Sequence, residues 1–428
     1  MTSMIRKLIK DRRGNALAIA CAAMPLVVGA AGLATDTIQW TLWKRQLQRA
    51  ADSAALAGVY DRSSNSGATT TTLATVQHDV EINNHTWMSL KSGYPTTTYP
   101  ADTALLTNQV GVTLAVQEPL PFSSLFMSTP PIIYATSRAA SVSAGGSACM
   151  QALETSATAQ GITNIGNTTV TAPTCILYSN SPSANSASAG GSSLITAKAV
   201  AAVGGISQSK NWIVKNYIPY SPPLPDPFAG VSPDPGAMNC TTAALTEDTD
   251  WSTLPAGTNC FSSISTKPNK TLNVPAGKGP IYVNGGNVDL KGNFNCSGCT
   301  IVLTNKSTSD TATIGTLTSN AQAQNNITAP TSGTFKGIAI YQDRRATAGT
   351  NKVNGGSNNV IQGAVYFPKS ILQVNGTGDA VSLCAMWVAK NIQLIGTSTI
   401  KISSPDDSEC SGSGMPKSSA VRMVRLVA

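Results

Sequence analysis

Ala364-Val-Tyr-Phe-Pro-Lys-Ser-Ile371 and Ala385-Met-Trp-Val-Ala-Lys-Asn-Ile392 align at an offset of 21 residues. The alignment sets Tyr366 against Trp387, Phe367 against Val388, Lys369 against Lys390 and Val374 against Ile395. Looser versions lie at 280–290, 299–303 and 337–341. Each is a short apolar run bounded by Gly, Asn or Cys, the pattern of a strand followed by a corner. Recurrence at about one coil length predicts a parallel β-helix, each coil burying its apolar side against the next. The rival architecture is an irregular β-sandwich with a chance alignment. On the solenoid reading Tyr366 and Trp387 are equivalent on adjacent rungs, as are Ala364 and Ala385, while Lys369 and Lys390 face solvent.

The composition around this repeat agrees with an exported β-rich surface. Of 428 residues only 12% are charged and 5% aromatic, with 36 Gly and 24 Pro. Charged residues usually make up about a quarter of a globular chain, so a charge-laced cytosolic enzyme is disfavoured. Residues 145–148 (Gly-Gly-Ser-Ala) read as a boundary, and the Pro-dense span 219–235, with Pro222-Pro-Leu-Pro-Asp-Pro227, as an extended connector. The expected division is a basic tip, membrane helix and its extension over 1–60, then a small α+β unit over 61–147. An irregular Ser/Thr/Pro-rich β region over 148–278, the β-helix over 279–405 and a tail over 406–428 follow.

The net charge of +8 is concentrated at the N-terminus. Arg6, Lys7, Lys10, Arg12 and Arg13 precede an uncharged run from Asn15 to Thr35. Such a run makes roughly 30 Å of helix, enough to cross the hydrocarbon core. Pro25 inside it is tolerable in a spanning helix. The basic cluster places the N-terminus in the cytoplasm and the bulk of the chain outside. A cleaved signal peptide, a lipoprotein signal ending at Cys21 and twin-arginine export are the competing readings. Beyond Asp36 the spacing of Trp40, Trp43, Leu47, Ala50, Ala51, Ala54 and Leu56 predicts a helix continuing to about Gly58. Its Trp residues belong either to the membrane interface or to the core of the following domain. No basic stripe with interleaved aromatics runs through a folded region, so nucleic acid is not an expected partner.

The stretch from Asp11-Arg-Arg-Gly-Asn-Ala16 to Pro25, then Gly29-Ala-Ala-Gly-Leu-Ala-Thr-Asp36 and Leu47-Gln-Arg-Ala-Ala-Asp-Ser-Ala-Ala-Leu-Ala-Gly58, resembles the N-terminal region of TadE/TadG-like Flp pilus-assembly proteins. A weaker echo of TadG-like proteins runs from Gln109 to Ser143. There a Val110/Val112/Leu114/Val116 alternation leads to Pro119-Leu-Pro-Phe122 and Leu125-Phe126, then to an Ala/Ser-rich strand. The resemblance implies a single-pass inner-membrane protein with a periplasmic bulk, acting as a structural or assembly subunit of a Tad/Flp-type pilus or secretion system. Its partners would be other pilus-assembly or minor pilin subunits. The rival function is a surface-anchored glycan-binding adhesin or a polysaccharide-active β-helix enzyme. The von Willebrand A domain of some TadG-like proteins has no D-x-S-x-S counterpart here. Prepilin peptidase substrates resemble one another in a Gly at the cut and a Glu at the fifth mature position; Gly14 is followed at that position by Ile19.

Eight cysteines follow the membrane run: Cys149, Cys175, Cys240, Cys260, Cys296, Cys299, Cys384 and Cys410. An even exported set reads as disulfides, and pairing sequence neighbours is the simplest of the many connectivities. Cys296-Ser-Gly-Cys299 lacks a second C-x-x-C, which favours a structural bridge over a zinc or redox site. For catalysis the best cluster is Asp343-Arg344-Arg345 with Asp289 and Lys291; Asp343 reads rather as a turn residue. Asp406, Asp407 and Glu409 read as a solvated loop, and His78 and His85 as a solvated pair. No cofactor, no metal and no enzymatic activity are expected.

Overall fold

The computed structural model describes residues 14–83, 89–320, 322–355, 359–376, 379–382, 384–397, 399–404, 406–407, 410, 412–416 and 420–427. It separates into two compact units, Met1–Val142 with Val424–Ala428, and Ser143–Met423.

The first unit is built on helix α1 (Gly14–Ser64), one continuous helix that contains Pro25. Its second half buries Trp43, Leu47, Ala50, Ala51, Ala54, Ala55 and Val59, a stripe at spacings of three and four. That stripe packs with Val76 and Val80 of α2 (Thr72–Asn83). It also meets a small antiparallel sheet of β1 (Thr96–Thr98), β2 (Leu106–Val116) and the first half of β3 (Ile133–Ala152). In that sheet Val112 pairs Ser137 and Val116 pairs Ile133. The small residues of the stripe let backbones approach closely: a Cβ at Gly58 would stand 2.9 Å from Val110 Cγ1. The first half of α1 is different. Met24, Leu26, Val27 and Val28 are exposed, Leu26 by 76%. It is the one helix among the described residues long and apolar enough to cross a membrane.

The second unit is a parallel β-helix. Three columns of parallel strands run its length, and the chain visits them in turn. One column stacks Cys260–Phe261, Ile281–Asn284, Ile301–Thr304, Ile338–Gln342, the start of Ala364–Gly376 and the start of Trp387–Gly396. Leu, Ile, Val and Phe from all three columns fill a continuous interior.

The order of coils along the stack is not the order of the chain. The coil begun by Trp387–Gly396 and ended by Thr399–Ile402 stacks on residues 148–172, with Trp387 paired to Met150, Ile392 to Ile162 and Ile400 to Val170. From there the stack continues through 176–197 and 199–218. Residues 240–245 begin the other end, where Cys240 bridges to Cys260 and Leu245 to Ile264. The solenoid is therefore permuted: its first-translated coils follow its last-translated one.

The Pro-rich connector makes this possible by retracing the stack along one column. Tyr178 Oη donates to Pro222 O, and Gln151 Nε2 to Leu224 O and Pro225 O, both at 3.0 Å. Tyr366 Oη then donates to Asp226 Oδ2 at 2.7 Å, Tyr341 Oη to Val231 O at 2.8 Å, and Lys306 Nζ to Met238 O at 3.1 Å.

Two sequence expectations change here. The region 148–278 is irregular only in part: its strands, within 148–218 and 260–274, are coils of the same solenoid, which is not confined to 279–405. The two segments that revealed the repeat do stack as adjacent coils, but in a different register. Val365 pairs Trp387 and Tyr366 pairs Val388, whereas Ile371 pairs Asn391. A slip of one residue turns a side chain to the other face. Trp387 accordingly lies in the interior, while Tyr366 lies beneath the connector beside Phe228. Ala364 and Ala385 are likewise not equivalent: Ala385 is interior, and Ala364 belongs to the cluster under the connector. Lys390 is half-buried, its Nζ 3.8 Å from Glu154, while Lys369 is exposed.

Candidate functional site

In the first unit two motifs that are far apart in sequence meet. Gly32 and Asp36 lie one turn apart on α1, hence on one face. Against that face sits the turn that follows β2. Asp36 is 1% exposed, and its Oδ2 accepts the backbone N–H of Ser123 at 2.5 Å. At Gly32 a Cβ would come within 2.8 Å of three ring carbons of Phe122, so only glycine leaves room for the ring there. A carboxylate this buried is costly unless hydrogen-bonded, and the Ser123 N–H supplies such a bond. Nearby hydroxyls are also satisfied: Thr35, Thr37 and Thr41 return theirs to carbonyls four residues back, at 2.9, 2.7 and 2.8 Å. The sequence marks both halves, Gly29 to Asp36 and Pro119 to Phe126. Nothing in it says that they touch.

Trp43 is 4% exposed and Trp40 packs beside it, so both serve the core of their own unit. The basic residues Arg6, Lys7, Lys10, Arg12 and Arg13 lie outside the described residues, whereas Asn15, Pro25 and Thr35 are all within α1.

In the solenoid the candidate catalytic cluster comes apart. Asp289 pairs with Lys291 at 3.0 Å, and Asp343 with Arg345 at 2.7 Å. Asp343 also accepts from Thr304 Oγ1 at 2.7 Å and from the Arg345 backbone N–H at 3.0 Å. Burial alone would raise the Asp343 carboxyl, but these bonds outweigh it and hold the group below the usual carboxylate range. Arg344 turns to the connector, 3.1 Å from Asp226 Oδ2 and 5.2 Å above the Tyr366 ring. Burial pushes the Tyr341 and Tyr366 hydroxyls up. These residues tie the solenoid to its connector. Asp226, which the sequence reading left unremarked within an extended Pro-rich connector, is the hub. Asp407 accepts from Ser404 N–H and Thr174 Oγ1, and Asp406 from Ser147. His78 is exposed on α2, while His85 and Glu409 lie outside the described residues. Among the described residues no group of three or more His, Cys, Asp or Glu is placed to hold a metal ion.

The eight cysteines that follow α1 stand at disulfide distance in four pairs. Cα–Cα separations are 5.6 Å for Cys149–Cys175, 4.2 Å for Cys240–Cys260, 5.8 Å for Cys296–Cys299 and 5.3 Å for Cys384–Cys410. The Cys149 and Cys240 bridges each join neighbouring coils, the second at one end of the stack. Closing loops of about this size contributes on the order of 3 kcal/mol each. Cys21 is free and exposed on α1.

A long helix, apolar and exposed in its first half and the spine of an α+β unit in its second, suggests membrane anchoring; a β-helix forms the other unit. Residues 14–61 match the family model described as "Putative Flp pilus-assembly TadE/G-like". The N-terminal helix region is thus a TadE/G-like Flp pilus-assembly domain, and with the apolar helix it supports a Tad pilus-associated membrane protein. No curated protein and no solved structure matches the chain.

Proposed function

We propose that the protein is a single-pass inner-membrane subunit of a Tad/Flp-type pilus or secretion system, structural rather than enzymatic, which holds its β-helix outside the cytoplasm. The observation that carries this reading is the continuity of α1. The helix region that matches the family model is also the spine of a folded unit, because residues 43–59 of the same helix form its buried stripe. Its partners would be other assembly or minor pilin subunits. A periplasm-dependent reporter fused after Gly58 is expected to be active; activity of a cytoplasm-dependent reporter at that junction would overturn the orientation.

The same reading makes the subunit a static one. In pilin-like polymers a carboxylate five residues past the cut is thought to meet a neighbour's new N-terminal amine, and a lone charge in hydrocarbon is expensive. Ile19 offers no such carboxylate. Intact mass of membrane-extracted protein is expected to include Met1–Gly14 even where a prepilin peptidase is present. A species beginning at Asn15 would show instead a processed pilin.

One observation favours glycan binding as a second reading. A shallow groove of about 240 Å³ on the solenoid is lined by Thr271, Asn293, Asn295, Gln324, Asn326 and Val360. Amide and hydroxyl groups on successive coils suit sugar hydroxyls.

A further inference from the structure

The turn that Asp36 holds has an outer side that the assembly reading does not use. Leu125 is 75% exposed, Phe126 74% and Met127 42%. Three consecutive large apolar side chains at a loop tip form a patch, not scattered exposure. The whole stretch from Pro119 to Ser137 contains no Asp, Glu, Lys or Arg. Nor does the tip leave its backbone to water. The N–H of Ser123 goes to Asp36 and that of Ser124 to Leu120 O. The N–H of Leu125 goes to Phe122 O, and those of Phe126 and Met127 to Ser123 O. A backbone that satisfies its own donors, under apolar side chains, is what a lipid environment requires.

The axial position of this tip is fixed by its two contacts with α1. Asp36 immediately follows the uncharged run, and Gly32, against Phe122, lies about 6 Å back along the helix inside that run. The exposed helix residues Leu33, Ile38 and Leu42 flank this level. With Trp43 turned into the core, the helix lacks that outward aromatic at the interface; Phe126 supplies one.

We propose that the 122–127 turn is a second membrane contact, Leu125 and Phe126 entering the lipid of the leaflet from which α1 emerges. This rests on reading α1 as a membrane span. Asp36 and Gly32 are then positioning residues, which set the depth of the turn. Two attachment points on one rigid unit would fix its tilt on the bilayer, where a lone helix would let it swivel.

Full-length protein reconstituted into phosphatidylethanolamine–phosphatidylglycerol vesicles tests this. A polarity-sensitive fluorophore is placed on Phe126→Cys in a Cys21→Ala background, and quenching by lipids carrying a nitroxide at acyl carbon 5 is read. The reference site is Leu105→Cys, also exposed and immediately before β2. Gly58 packs on Val110, so that end of the unit lies about 33 Å further along α1 than Asp36. Several-fold stronger quenching at 126 than at 105 is the expected result. Equal quenching at the two sites overturns the proposal, as does a fluorophore at 126 shielded from both lipid and water, which would signify a protein partner instead. Label on the native Cys21 separates the two readings. Quenching there but not at 126 retains the span and removes the second contact, whereas quenching at neither removes both.

Discussion

Replacing Ala385 by Asp is expected to unfold the solenoid. Ala385 is fully buried in its interior, among Trp387, Val365 and Ile402, and donates its N–H to Ser403 O. A carboxylate there has apolar neighbours and no cation, a cost of about 3–5 kcal/mol, comparable with the whole stability of many domains. Limited proteolysis and urea unfolding of the full chain would read the loss. Lys369→Ala, at an exposed position of the neighbouring coil, is expected to move the urea midpoint little. An Ala385→Asp protein with a wild-type midpoint would show that this position is not interior.

Arg345→Ala is expected to cost about 3 kcal/mol near neutral pH, because it leaves the buried Asp343 carboxylate without its cation. The pH dependence supplies the sign. In the wild-type protein the folded carboxyl titrates below its unfolded value, so its stabilising contribution is present above about pH 4 and is lost as pH falls through the lower, folded value. Without the Arg345 side chain burial is opposed only by the Thr304 hydroxyl and the residue-345 backbone N–H, so the folded carboxyl titrates higher than in the wild type and acidification costs the variant less. The stability gap between the two proteins should therefore narrow as pH falls from about 4 through the lower, folded value. A gap that stays constant across that range would mean that Asp343 is not the group Arg345 serves.

How much of this was legible varies along the chain. Trp, Leu and Ala at helical spacing announced α1, and its uncharged first half announced an exposed apolar stretch long enough to cross a membrane. The coils at 364–395 were legible because large apolar residues alternate with Gly and Asn corners. Their register was not. The pairing offset is 22 before the corner, Val365 to Trp387, and 20 after it, Ile371 to Asn391. An alignment of like residues averages the two to 21 and puts Tyr366 on the wrong face. The difference is a corner of Pro368, Lys369 and Ser370 against one formed by Lys390 alone. Coils within 148–218 were hidden for another reason. Their interior is lined by Ala172, Ala187, Ala189 and Ala197, and alanine among serines and threonines carries no strand signal. At the base of the first unit each half of the Asp36–Ser123 contact stood out alone, and long-range pairing has no local signature.

On the proposed topology, with the N-terminus held in the cytoplasm, the permuted stacking sets a timetable for the rest of the chain, which would cross the membrane in sequence order after α1. Residues 148–218 emerge early and can wind on one another at once, but the edge offered by Met150, Ile162 and Val170 stays bare until Trp387, Ile392 and Ile400 arrive from the far end of the unit. An unpaired parallel edge is a template for foreign strands, and closing a long loop onto it is slow. The seam in the middle of the rod is thus its last-made joint and its exposed wound during export. A chain cut short before residue 387 would not yield a shorter rod but two stubs, each with a raw face, ready to accept the missing coil from another molecule.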